Sequence, residues 1–390
     1  MTRRRTADVV IVGAGAVGAA CAYFLARAGL AVHVVEQGAI ASGTSSACEG
    51  NLLVSDKESG PELDLALYSR SVWHDDLAEH GSLWEFEDKG GLVVVASESG
   101  AQALSALATR QRAAGIEVGE VDGADLQRYE PDLSPSLAAG AFYPQDAQVQ
   151  PMLLVAHLLR MARALGTTLQ TQTAVTGLLR DGDRVTGVET RTGPVAASAV
   201  VNAAGPWAGS IAQLARVELP VLPRRGFVLV TERLTQVVRH KVYAGEYVAG
   251  VLSSDAGLQT SPVVESTPSG TVLIGSSRER VGFDRSVSLP VLSSLARHAV
   301  ALFPMLRTIK AVRSYLGFRP YCPDHLPVIG EDRRAPGLWH AGGHEGAGIG
   351  LSVGTAKLLA QALLGAPTDL DLTPFAPDRF AADQMKAVHG

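Results

Sequence analysis

The chain has 390 residues, 46% hydrophobic and 19% charged, with a formal net charge of −5. This composition supports a sizeable core and two domains rather than one, and an acidic balance with no long basic run speaks against nucleic acid as a partner. Cys21, Cys48 and Cys322 are too few and too scattered for a disulfide framework or a four-cysteine iron–sulfur centre, and they suit a reducing, cytoplasmic compartment.

Residues 9–12, all apolar, run into Gly13-Ala14-Gly15-Ala16-Val17-Gly18 and then into an Ala-rich stretch over 19–28, which predicts strand, tight turn and helix. Gly13 permits the turn, Gly15 lets backbone approach a pyrophosphate, and Gly18 lets helix and strand lie close. The phosphates belong at the helix N-terminus, where free N–H groups and the helix dipole favour negative charge. A chain with 41 glycines offers such spacings by chance, but the context is specific. The next strand, 30–35, ends in Glu36, placed 23 residues after Gly13 to grip a ribose hydroxyl.

Arg3-Arg4-Arg5 leads straight into this first strand, so no cleaved export signal is expected, and no apolar run reaches the ~18–20 residues of a membrane span. A small, hydroxyl-rich loop over 38–51 follows Glu36 in place of a prompt βα unit, and it offers N–H and O–H donors along its length. A helix is expected over 62–80, a buried strand over 90–95, helices over 99–114 and 123–129, a strand over 138–143, and a proline-started helix over 150–164. Residues 169–175, 176–179 and 184–190 read as one small antiparallel set around Asp181-Gly182. An apolar strand over 199–202 then enters Ala203-Ala204-Gly205-Pro206-Trp207, another strand end beside a glycine. Strands separated by turns over 219–282 predict an antiparallel sheet of their own. A helix over 290–303, a strand over 314–320 and a glycine-rich turn over 342–350, opening a helix to about residue 364, complete the chain.

Glycine-bearing turns near residues 13, 205 and 343 lie far apart in sequence, yet each is built for close backbone approach. A nicotinamide dinucleotide is held by one contiguous domain, whereas FAD lies extended and reaches a distant part of the chain. The chain resembles the D-amino-acid oxidase family of FAD-dependent oxidoreductases, in the branch of glycine oxidase, sarcosine oxidase and D-amino-acid dehydrogenase. The matching motifs run in family order: residues 9–18 with Glu36, Gly43-Thr44-Ser45-Ser46-Ala47, Asp146 to Pro151, Leu222-Pro223-Arg224-Arg225-Gly226, Gly317-Phe318-Arg319-Pro320 with Pro323-Asp324 and 327–330, and Gly342-Gly343-His344 with Gly348.

The resemblance implies an α/β fold: a Rossmann-like, glutathione-reductase-type FAD-binding domain with a second α+β substrate domain on an antiparallel sheet. The FAD-binding domain is expected to be discontinuous, from 1–88, 142–218 and 315–390, with 89–141 and 219–314 forming the substrate domain. Gly13, Gly15, Ala16, Val17, Gly18, Glu36, Gln37, Gly43, Thr44, Ser45 and Ser46 would hold the adenosine and pyrophosphate half, with Val175 at the adenine. Glu49, Gly50, Asn51, Ala204, Gly205, Trp207 and Gly343, together with His344, Glu345, Gly346, Ala347, Gly348, Ile349 and Gly350, would line the flavin side. Arg319 would clamp a substrate carboxylate, for which a planar fork of donors is suited. Asn51, Glu49, Tyr247 and His344 are further catalytic candidates, and Tyr243, Gln259 and Tyr321 candidate pocket residues.

Counting back from Pro323-Asp324 to the position where relatives attach flavin through cysteine reaches Gly317, so FAD is expected to be non-covalent. Val263 and Gly346 stand where glycine oxidases carry a pocket tyrosine and an arginine, which argues against glycine as substrate. Glu49 and Glu345 are unusual for those relatives: they could meet a substrate amine, or point to solvent or a partner chain. The implied reaction is oxidation of an amino or imino acid (a D-amino acid, N-substituted glycine, proline, hydroxyproline or opine) by hydride transfer from Cα to flavin N5. No Ser/His/Asp set or metal-spaced cluster competes for the chemistry. The alternative is a FAD-carrying electron-transfer or assembly subunit of a multi-subunit dehydrogenase, with no substrate of its own. Electron-accepting partner subunits carrying flavin or iron–sulfur, or a homo-oligomer, fit either reading.

Overall fold

The computed structural model describes residues 7–235, 237–245 and 253–380. Val9–Val12 sits near the middle of a six-stranded sheet, parallel to Val32–Val35 on one side and to Ala199–Asn202 on the other. Its four apolar residues are all buried, as a strand covered on both faces requires. Leu338–Gly342 and Thr168–Gln170 extend the sheet in parallel, and Val328–Glu331 closes it antiparallel. Ala16–Arg27 packs against both Gly348–Leu363 and Pro151–Ala164, a close approach its run of alanines permits.

The second sheet has eight strands in the order Ala311–Tyr321, Leu222–Thr231, Val272–Arg278, Gln259–Ser266, Lys241–Ala244, Gly91–Val95, Ala139–Tyr143 and Gly119–Asp122. It is antiparallel except where Lys241–Ala244 runs parallel to Gly91–Val95. That pair joins segments far apart in the chain, so no hairpin dictates its direction. Ala311–Tyr321 is hydrogen-bonded along the whole of Leu222–Thr231. It lies across the expected domain border at 315, as Ala139–Tyr143 lies across that at 142. The helix Leu289–Leu302 packs on this sheet.

Two local expectations change. Residues 168–170 leave the small antiparallel set and join the parallel sheet, where His33 Nδ1 meets Thr168 Oγ1 at 2.6 Å. The chain then reverses at Gln172, with φ +52°, before Val175–Asp181 pairs with Arg184–Thr190. The helix expected over 62–80 ends at Asp75, and a 3-10 segment, Ala78–Trp84, follows and buries Trp84. Among the described residues no helix is long and apolar enough to cross a membrane.

Candidate cofactor and substrate site

A cavity of about 400 Å³ is walled by the strand ends of the first sheet and one face of the second. Its first wall is the opening turn. Gly13 has φ +112°, and a Cβ there would stand 2.5 Å from the Ala203 carbonyl oxygen, so no other residue fits without moving backbone. Gly18 lies off the cavity and does the packing job read from its spacing, since a Cβ there would strike the Gly13 carbonyl. Ser45 Oγ accepts from the Ala16 N–H at 3.0 Å, pinning the hydroxyl loop to the helix N-terminus. Glu36 accepts from the Ala14 N–H at 2.8 Å and the Gly38 N–H at 2.7 Å, which fixes its carboxylate at the strand end.

Of the expected cofactor residues, Gly13, Gly15, Ala16, Val17, Glu36, Gln37, Gly43, Thr44 and Ser45 line the cavity. So do Glu49, Gly50, Asn51, Val175, Ala204, Gly205 and Trp207, and every residue from His344 to Gly350. Ser46 does not, its hydroxyl donating to the Gly43 carbonyl at 3.2 Å, and Gly343 packs on Cys322 and Val328 instead. Tyr247 lies outside the described residues. Tyr243, Gln259 and Tyr321 are not on the wall: Tyr243 donates to Ser55 Oγ in the core, and Gln259 and Tyr321 contact Arg224.

Arg319 reaches the cavity across a floor without side chains. A Cβ on Gly226 would lie 2.2 Å from Arg319 Nη1, and one on Gly346 would lie 3.7 Å from Nε. Nη1 donates to the Ser277 carbonyl at 2.8 Å, orienting the guanidinium. His344 is buried with Nε2 3.0 Å from Thr355 Oγ1, and burial pushes its pKa down to about 4, so it is neutral at pH 7.

The two unusual carboxylates separate here. Glu345 is committed: Arg224 Nη1 donates to Oε2 at 3.4 Å, and His325 Nδ1 lies 2.9 Å from Oε1. Glu49, only 9% exposed, receives Asn51 Nδ2 on Oε2 at 3.3 Å, while its buried Oε1 has no hydrogen-bond partner. Burial raises the Glu49 pKa, partly offset by the charges of Lys241, Arg319 and Arg278.

Several contributors escaped sequence reading. Arg224, fully buried, anchors Glu345 beneath the glycine-rich turn over 342–350 and donates to the Ser253 carbonyl at 2.9 Å. Asp56 and Lys57 line the wall as an ion pair at 3.0 Å, with Glu62 on the lysine at 3.1 Å. Their adjacency to the hydroxyl-rich loop was the available signal. Phe283 stacks on Trp207 with ring centroids 5.2 Å apart. Among the described residues no group of three His, Cys, Asp or Glu side chains could hold a metal ion.

A backbone cradle at a helix N-terminus, a fixed carboxylate one strand away and a second helix N-terminus on the far wall fit an extended dinucleotide with a ring at one end. Comparison with known proteins agrees. The family described as FAD dependent oxidoreductase, DAO, matches residues 8–362. The chain is 31% identical to glycine oxidase of Geobacillus kaustophilus, covering 95% of this chain and 97% of that protein. It is 29% identical to hydrogen cyanide synthase subunit HcnC of Pseudomonas aeruginosa, covering 96% and 97%. The crystal structure of the Geobacillus kaustophilus glycine oxidase superposes with a TM-score of 0.88 at 30% identity, covering 96% of this chain and 99% of that one. The chain therefore belongs to the DAO family of FAD-dependent oxidoreductases: it is an enzyme whose cofactor is FAD.

Proposed function

We propose that the enzyme oxidises an amino or imino acid at the carbon bearing nitrogen, with Arg319 holding the substrate carboxylate. The observation that carries this reading is the Arg319 guanidinium, fixed by the Ser277 carbonyl and presented to the cavity over Gly226 and opposite Gly346. A planar guanidinium binds carboxylate bidentately, and fixed geometry of this kind lowers the barrier by orientation. FAD, when bound, would supply the two-electron acceptor for a hydride transferred from the substrate Cα to flavin N5. Gly13, Gly15, Ala16, Val17, Glu36, Gln37, Thr44, Ser45 and Val175 would hold the adenosine and pyrophosphate half, and Glu49, Gly50, Asn51, Ala204, Gly205, Trp207 and 344–350 would enclose the ring. FAD is bound without a covalent link: Gly317 carries no nucleophile, and Cys322 is buried off the cavity wall. FAD binding falls to 1–88, 142–218 and 315–390, with Arg319 of the last segment reaching the substrate, and 89–141 with 219–314 form the substrate domain. Cytoplasmic residence suits three unpaired thiols.

Glycine is disfavoured as substrate. Val263 is buried opposite Gly275 in the sheet, and Gly346 adds no cation to the flavin side. That supports a bulkier or N-substituted acid. The test is anaerobic titration of the oxidised holoenzyme with D- and L-alanine, sarcosine, D- and L-proline, hydroxyproline and an opine, read as loss of the flavin absorbance band. Bleaching by one class is expected. Arg319→Ala should retain FAD and weaken binding of the active acid about 100-fold, the loss of a bidentate charged contact of roughly 3 kcal/mol. Retained affinity, or loss of flavin instead, would overturn the assignment.

A second reading draws on the similarity to a protein named as a subunit of hydrogen cyanide synthase. The chain then passes electrons to a partner subunit carrying flavin or iron–sulfur, or only carries FAD within such an assembly. Flavin that no amine bleaches, with tolerance of Arg319→Ala in the assembled complex, would favour the carrier role. Reoxidation by dye but not by air would favour a partner over oxygen.

A further inference from the structure

We propose that Glu49, supported by Asn51, receives the nitrogen of the substrate and takes its proton. This rests on the amino- or imino-acid reading above. Both side chains line the cavity, and each has a buried oxygen without a hydrogen-bond partner, Glu49 Oε1 and Asn51 Oδ1. Buried polar atoms are nearly always satisfied, so two orphan acceptors on one wall mark a place for a donor. The missing partner is cationic or protic, because both orphan atoms are acceptors and one N–H of the Asn51 amide already goes to Glu49 Oε2. A substrate ammonium, or the N–H of a secondary amine, has that chemistry.

Glu49 and the carboxylate clamp are set against the same strand. Glu49 Oε1 lies over Gly275, where a Cβ would come within 2.1 Å, and Arg319 is held by Ser277 two residues along the same strand. Both contacts fall on one short stretch of a single strand, Val272–Arg278, so Glu49 and the clamp meet the same part of the cavity. Glu345, the other carboxylate near the flavin side, cannot do this work, since Arg224 and His325 occupy its two oxygens.

In the step, an N–H bond of the substrate ammonium breaks and an O–H bond forms on Glu49 Oε1, while the electron pair stays on nitrogen. The free amine then supports loss of hydride from its carbon in the FAD-dependent oxidation proposed above. The groups facing Glu49 are Lys241, Arg278 and Arg319, which favour its anion, and Glu265, Cys48 and Tyr315, which oppose further negative charge. Burial raises its pKa and brings it nearer that of an ammonium donor.

The test uses Glu49→Gln holoenzyme and whichever acid of the full panel above, D- and L-alanine, sarcosine, D- and L-proline, hydroxyproline and an opine, reduces the wild-type flavin fastest. Two readouts are followed: anaerobic flavin reduction from pH 6 to 10, and affinity for propionate, which has a carboxylate but no amine, by perturbation of the flavin spectrum. The expected result is at least tenfold slower reduction at pH 7, recovering toward wild type as pH rises and the substrate deprotonates in water, with propionate affinity within twofold. Unchanged reduction and pH profile would overturn the role of Glu49 while leaving the proposed function standing. A wild-type flavin that none of these acids reduces would instead remove both. Should Glu49→Gln lose FAD, Glu49→Asp carries the test: the shortened carboxylate should keep the wild-type pH profile with several-fold slower reduction, and wild-type rate and affinity would overturn the proposal.

Discussion

The guanidinium of Arg319 can stand where it does because the residue beneath it has no side chain. A methyl group at position 226 would sit 2.2 Å from Nη1 and 2.6 Å from the Ser277 carbonyl oxygen, and only the first of these can move. Gly226→Ala should therefore raise the dissociation constant of the active acid about tenfold while leaving the flavin spectrum and FAD content as they were, measured by spectral titration. Arg319 and Glu36 were legible in the sequence because each sits in a short run of glycine and proline, or at a fixed offset, that only one geometry explains. Arg224 was not. In Leu222-Pro223-Arg224-Arg225-Gly226 nothing local says that Arg224 turns inward to Glu345, 121 residues away, while Arg225 pairs with Glu279 and Asp284. The same long-range contact separates Glu345 from Glu49, two carboxylates beside glycines that sequence alone left equivalent.

At the scale of elements, the turn from Leu338–Gly342 into Gly348–Leu363 carries a buried histidine whose titration should be visible in stability. Burial lowers the His344 pKa from an ordinary 6.5 to about 4. The unfolded chain takes up this proton as pH falls through 6.5, and the folded chain resists until about 4, so stability is full above that window and declines within it. The decline amounts to roughly 3 kcal/mol from this group. Thermal midpoints of the holoenzyme should fall from pH 7 to 4.5, and His344→Gln should flatten the slope; an unchanged slope would contradict the assignment. His340 adds to the trend. It lies between Asn202 at 3.1 Å and Asp332 at 3.3 Å, tying three strands together, and burial lowers its pKa as well. Of the first sheet, Val9–Val12 and Ala199–Asn202 were readable as apolar runs, whereas Val328–Glu331, ending in a glycine and a carboxylate, carried no such signal. Thr168–Gln170 was misplaced because a three-residue edge strand has too few side chains to show which sheet it serves, and only its pairing with Val32–Val35 decides.

On the scale of the whole molecule, Cys21 and Cys322 are buried in the fold, and Cys48 is half-buried on the wall of the cavity that the cofactor fills. Burial pushes Cys21 and Cys48 up to about 12 and raises Cys322 as well. The native holoenzyme should therefore leave an aromatic disulfide reagent unreacted at pH 8, then release three thiols on denaturation together with soluble, intact FAD. Rapid labelling of the folded enzyme, or flavin that precipitates with the protein, would refute this. The two-part architecture was legible from the motif order, whereas the interleaving of its sheets was not, because pairings such as Lys241–Ala244 with Gly91–Val95 join segments that share no local signal. The cavity takes its wall from residue 12 through residue 351, so whatever fills it fastens both ends of the polypeptide at once. Such a ligand acts as a clasp on the chain, and the quantity of mature protein a cell can keep is then tied to its supply of riboflavin.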